Sequence, residues 1–176
     1  GVYDGLDQCP DTPKGMPVDE KGCPKLAAMK ETELETSGMI RLTDIHFQTG
    51  KDSLLADSYQ QLDAVAQALG DWPMLKIEIG GHTDSRGSSA RNLVLSQGRA
   101  AAVRAYLLAK NPALSPKMLT AKGYGKKRPI APNDTPENMA KNRRVDMTIL
   151  NADVFKKELE KRHATMSSAA SDSLKK

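Results

Sequence analysis

A short alternating run, Leu75-Lys76-Ile77-Glu78-Ile79, passes into Gly80-Gly81, and beyond a polar turn residues 90–109 carry helical periodicity. This strand–loop–helix succession constrains the fold more than any other feature. A helix that must bury an apolar stripe folds back over the strand it follows, with a right-handed crossover. The loop between them then lies at the carboxyl end of the strand, where open α/β sheets commonly place ligands. Gly80-Gly81 reads as a flexible exit from the strand. Ser88 or Ser89 suits the helix N-cap. Leu95, Ala102, Val103, Tyr106 and Leu107 make the apolar face. Gly98 inside the helix costs about 1 kcal/mol relative to Ala and suggests close packing or ligand approach.

The remaining elements follow from the same periodicities. Met39 to Phe47 alternates, with Ile40 and Leu42 on one face. Ile45 and Phe47 fall on the opposite parity, so a bulge near Asp44 is expected. Tyr59, Leu62, Val65, Ala66 and Leu69 have helical spacing, ended by Gly70 with Pro73 beyond. Lys117 to Gly125 and Arg144 to Leu150 read as third and fourth strands, and Pro136 to Asn142 as a short helix. The fold class is α+β: a β-α-β-α-β-β mixed sheet with the helices packed on one face. Aromatic residues are only 4% of the chain, so the core is aliphatic. Three segments are expected: a linker at 1–38, a domain at 39–150, and a polar tail at 151–176. The tail shows a weak helical pattern around Val154, Phe155 and Leu159 and a Ser/Ala/Lys-rich end from Ala164 expected to be disordered. It is open as a solvated tail or a docking helix. Residues 25–38 read as a charged linker or a short helix ending at Gly38.

Cys9 and Cys23 flank a short Pro/Gly/Asp-rich loop without a local core. Zinc would need two further Cys or His ligands nearby. A disulfide fits, contributing about 3 kcal/mol by loop closure and implying an oxidising compartment; two free thiols are the other reading. The segment resembles the end of a thrombospondin type 3-like repeat, whose closely spaced acids suit calcium. Solvated linker acids are the alternative, and no other cofactor is expected. No apolar run approaches the ~20 residues of a membrane helix. Because the chain starts at Gly1, we expect a mature or excised fragment, with a membrane-embedded or lipidated part upstream. The net charge of +4 is spread among interspersed acids and bases. Without a basic run interleaved with aromatics, nucleic acid is not an expected partner.

Fifteen residues separate Asp84, on the loop, from Arg99, on the helix. Asn92 and Arg99 share one helical face two turns apart, with Ser96 between them. An acceptor-only carboxylate, an amide and a five-donor guanidinium suit a ligand bearing both an ammonium and a carboxylate. Alternatively, Asp84 and Arg99 pair with each other as a structural ion pair. Catalysis is not expected. His46, His82 and His163 lack metal-ligand spacing, and no Ser or Cys sits in a nucleophile motif.

The ordered motifs Ile79-Gly80-Gly81-His82-Thr83-Asp84, Asn92-x-x-Leu95-Ser96-x-x-Arg99-Ala100-x-x-Val103, Gly123-Tyr124-Gly125, Pro129-Ile130-Ala131 and Asn142-Arg143-Arg144-Val145 resemble the OmpA-like peptidoglycan-binding domain family over residues 39–150. The resemblance implies non-covalent binding of the diaminopimelate in the cell-wall peptide stem. Asp84 would take its ammonium and Arg99 its carboxylate. Thr83 and the loop after Asp84 would add backbone contacts, and Asn92 and Arg143 would complete the pocket. The sequence departs from the family at Gly50, where a ligand-contacting Asn is common. By the same resemblance the chain is the periplasmic part of an outer-membrane protein, partnered by peptidoglycan and by an upstream barrel or lipid anchor, with a homodimer as a further assembly. The alternative context is the wall anchor of a flagellar stator.

Overall fold

The computed structural model describes Val18, residues 25–43 and residues 45–173, with side chains to residue 165. The cysteine pair, the acidic leader with its calcium reading, and Asp44 lie outside the described residues. The elements run α1 (Leu26–Ser37), β1 (Met39–Leu42), α2 (Tyr59–Gly70), β2 (Ile77–His82), α3 (Ser89–Lys110), β3 (Leu119–Gly125), α4 (Pro136–Asn142), β4 (Val145–Ile149) and α5 (Ala152–Ser173). The four strands form one mixed sheet in the order β1-β4-β2-β3. β2 and β3 are parallel, joined through α3, while β4 runs antiparallel to both β1 and β2.

Alternation decides which face of the sheet is apolar. Ile40, Leu42, Ile77, Ile79, Val145 and Met147 are buried in one core with Leu62, Val65 and Leu69 of α2 and Val103 and Leu107 of α3. The intervening residues Arg41, Glu78, Lys122, Tyr124, Arg144 and Asp146 occupy the other face, tied by ion pairs Arg41–Asp146, Arg144–Asp146 and Lys122–Glu78. The sheet therefore carries α2 and α3 on one side, as its sequence pattern predicts.

Four expectations change. First, β1 ends at Leu42, and Phe47 instead bridges Leu54. The backbone of His46 bonds the Ser58 hydroxyl and the Leu55 amide, so residues 45–58 form a separate loop beyond the sheet. Second, Gly80 and Gly81 belong to β2, which pairs β3 through them. A Cβ on Gly81 would lie 2.2 Å from the Ser96 carbonyl oxygen, and one on Gly123 would lie 2.5 Å from the Gln97 amide nitrogen. The two glycines let α3 sit directly on the strands. Third, residues 26–37 form the short helix, one of the two readings of that segment, but the helix is packed into the fold and is not a linker. It packs on α2 and β1, buries Leu34, and ends at Gly38 with φ +68°. Fourth, the tail is not a polar appendage. α5 extends to Ser173, past the expected onset of disorder at Ala164, and buries Phe155 edge-on against Trp72. Arg162 stacks over the same indole, 3.7 Å from its centroid. These contacts fix the first half of α5, and a nucleated helix propagates at little further cost. The core thus extends beyond the 39–150 limits on both sides.

Candidate functional site

The loop after β2 is held from three directions. Thr83 donates its amide to the Gly125 carbonyl (3.0 Å), and its hydroxyl bonds the Asp84 carbonyl (3.0 Å). Ser88 caps α3 by accepting from the Arg91 amide. The side-chain Nδ2 of Asn92 donates to the Arg86 carbonyl at 2.8 Å and to that of Asp84 at 3.4 Å. Buried Asn92 therefore closes the loop onto the helix. Buried Ser96, one turn on, accepts from the Gly125 amide (2.9 Å), locking α3 to the end of β3.

Asn142 ends α4 and is almost fully buried. Its carboxamide accepts from the amides of Ile130 and Ala131 and donates to the Ala131 carbonyl and to Asn133. Asn133 in turn accepts from the Ser85 amide at 3.0 Å. The motif segments around Pro129 and Asn142 thus brace the Asp84 loop and deliver Arg143, the C-cap of α4, to its edge.

One cavity of about 380 Å³ collects Thr83, Asp84, Asn92, Arg99 and Arg143, with Phe47, Thr49, Gly50, Arg86, Gly87, Arg91 and Leu95 completing the wall. Asp84, 5% exposed, is not paired with Arg99. Its Oδ2 accepts from Arg86 Nη2 at 2.7 Å and from Arg143 Nη1 at 3.0 Å. Its Oδ1 accepts the Arg86 amide at 3.1 Å. Burial works to raise the Asp84 pKa, but the hydrogen bonds from Arg86 and Arg143 outweigh it and hold the carboxyl below its ordinary value. Arg99 is half-buried, with its guanidinium carbon 4.8 Å from the Phe47 ring centroid and its Nε bonded to the Lys51 carbonyl. Among the described residues it has no carboxylate partner. Burial, then the neighbouring Arg143, pull its pKa below the ordinary guanidinium value, opposed by Asp52 and Asp84. The site therefore offers a buried anion and an unpaired cation across one cavity. Sequence spacing alone left open an Asp84–Arg99 ion pair, and the geometry replaces it with pairs to Arg86 and Arg143.

Arg86, Arg91 and Phe47 were not anticipated. Arg86, two residues beyond Asp84, lies within reach of it along a turn, a local signal. Phe47 and Arg91 reach the cavity only through the packing of their loop and helix. Gly50 has φ +70°, and a Cβ there would point toward Arg91 Nη2 at 3.9 Å.

The chain is similar to known proteins. The chain is 36% identical over 149 residues to outer membrane porin F of Pseudomonas aeruginosa, covering 85% of this chain and 40% of that protein. It is 39% identical over 105 residues to the peptidoglycan-binding protein ArfA of Mycobacterium bovis, covering 60% of this chain and 32% of that protein. The chain thus spans well under half the length of these relatives. The crystal structure of the peptidoglycan-associated lipoprotein from Burkholderia pseudomallei is similar with a TM-score of 0.54 and 33% identity, over 60% of this chain and 87% of that one. Residues 46–143, more than half of the chain, match the OmpA family, and the chain belongs to it.

Proposed function

We propose that this chain binds peptidoglycan non-covalently through the diaminopimelate of its peptide stem. The observation that carries the reading is the pairing inside one cavity of buried, charged Asp84 with Arg99, which lacks a carboxylate partner. The free end of diaminopimelate carries an ammonium and a carboxylate on one carbon. Arg99 can grip the carboxylate with two parallel hydrogen bonds, its plane steadied by Phe47. Asp84 can accept from the ammonium. A carboxylate has about four acceptor positions, and the Arg86 side chain, 68% exposed, is free to swing away. Arg143 stays at the rim and keeps Asp84 ionised.

In this reading Asp84 is a charged acceptor and not a general acid. A carboxyl held below its ordinary pKa by two guanidiniums is a poor proton donor at neutral pH. Each charge-assisted hydrogen bond contributes about 1.5–3 kcal/mol before the costs of ordering, so one stem is held modestly. Many copies facing one polymer would anchor firmly by avidity. The names of the relatives, one peptidoglycan-binding and one an outer membrane porin, support a periplasmic domain that ties the outer membrane to the wall through a part of the protein upstream. The test is a pull-down with insoluble peptidoglycan. Diaminopimelate-type wall should retain the chain and lysine-type wall, which lacks the second carboxylate, should not. Equal retention by both would overturn the diaminopimelate assignment.

A further inference from the structure

The cavity holds more positive charge than a zwitterion can use. Its wall presents four guanidiniums, Arg86, Arg91, Arg99 and Arg143, against one carboxylate, Asp84. Arg143 stays on Asp84, the 68% exposed Arg86 swings out toward water as the ammonium takes its place, and Arg99 is assigned above to the ligand carboxylate. Arg91 is left over. It sits in the first turn of α3, is exposed, and its guanidinium has no carboxylate within ion-pair distance among the described residues. Its Nη2 lies beside Gly50, a wall position without a side chain, where an added Cβ would be 3.9 Å away. Arg91 also borders a second groove of about 560 Å³, with Gly50, Lys51, Asp52, Ala90, Val94 and Leu95, which continues from the first cavity. Asp52 is the only acid of that groove, and its carboxylate lies against Gly98, on the Arg99 side.

We infer that Arg91 is a specificity-determining residue that reads a second carboxylate on the ligand, that of the residue preceding the diaminopimelate in the stem. This inference rests on the diaminopimelate reading of the site. When that residue is a glutamate linked through its side-chain carboxyl, its α-carboxylate is free and lies one residue from the clamped end. An amide at the same place is neutral and gives Arg91 no counter-charge. The ligand preferred by this chain is therefore an anionic stem, and its amidated form is discriminated against. Because Arg91 is exposed, its contribution to binding weakens with added salt.

The experiment is calorimetric titration of the chain, and of Arg91→Gln, with two dipeptides: γ-glutamyl-diaminopimelate with the glutamyl α-carboxylate free, and the same compound amidated. The wild-type chain should bind the free acid about tenfold more tightly than the amide, the effect of one charge-assisted hydrogen bond. Arg91→Gln should bind both with the affinity the wild type shows for the amide. Equal wild-type affinity for the two peptides, or a preference that survives in Arg91→Gln, overturns the inference while leaving the clamp intact. Failure of the wild type to bind either peptide overturns the clamp, and the role of Arg91 with it.

Discussion

Arg143 donates from Nη1 to Asp84 Oδ2 at 3.0 Å across 59 residues of chain, while Arg99, in the wall of the same cavity, forms no ion pair with that carboxylate. The division of labour matters. Arg86 and Arg143 keep the acid charged and placed, and Arg99 has no carboxylate partner among the described residues.

Removing either pole of the clamp should end wall binding. Asp84→Ala and Arg99→Ala are each expected to lose retention on diaminopimelate-type peptidoglycan in a sedimentation assay. Their stabilities should differ. Asp84→Ala removes a buried carboxylate that accepts from the Arg86 amide and from the Arg86 and Arg143 side chains, and should cost about 2 kcal/mol. Arg99→Ala loses one carbonyl bond and a cation–π contact, about 1 kcal/mol. Urea melts beside the sedimentation assay separate the two effects, and binding by either folded variant would refute the clamp.

The close seating of α3 should be intolerant of a single methyl group. At Gly81→Ala the new Cβ meets the Ser96 backbone, which cannot swing aside. A cost of about 3 kcal/mol is expected, with loss of ligand binding, because α3 carries Asn92 and Arg99. Gly38→Ala is the control. Its Cβ would meet nothing within 4 Å, so only the left-handed backbone is strained, at about 1 kcal/mol and with binding retained. Thermal melts and titrations of the two variants provide the comparison.

Stability should fall in mild acid through His82. Its ring is buried beside Asp146 and stacked on Tyr124, and its Nδ1 finds no hydrogen-bond partner among the described residues. Burial, reinforced by Arg144, drives its pKa down to about 4, against the opposing pull of Asp146. Above pH 6.5 the ring is neutral folded or unfolded, and the stability is fully present. Between pH 6.5 and about 4 only the unfolded chain takes up the proton, so stability is lost as the pH falls, on the order of 3 kcal/mol in all. His82→Gln should flatten this part of the profile, measured by urea denaturation at stepped pH. An unchanged slope would assign the acid sensitivity elsewhere.

The C-terminal helix should be an integral part of the fold. Phe155→Ala empties a place against Trp72 and is expected to cost about 3 kcal/mol. Arg162→Ala, which loses the stack over Trp72, should cost under 1 kcal/mol. A neutral Phe155→Ala in chemical denaturation would return α5 to the status of an appendage.

The order of the elements and several of their ends were legible without coordinates, because they depend on neighbours a few residues apart. Gly70 closes α2, Ser88 caps α3, and Pro136 opens α4 where local rules place them. Three of the residues that line the cavity were also legible, since Asp84 follows a strand and Asn92 and Arg99 share a helical face. Tertiary structure alone decided that Arg143, and not Arg99, joins the neighbouring Arg86 on Asp84. The choice between Arg99 and Arg143 turns on differences in reach that no spacing encodes. It also decided that Gly80 and Gly81 extend a strand, because their need for glycine comes from α3 pressing on Gly81 and from Tyr124 and His82 crowding Gly80. Phe155 and Arg91 show the same limit. Phe155 lies in a weak helical pattern with Val154 and Leu159, Arg91 is a single basic residue in a first helical turn, and neither pattern names a partner. Their roles arise only when Trp72 and Gly50, distant in sequence, are folded up against them.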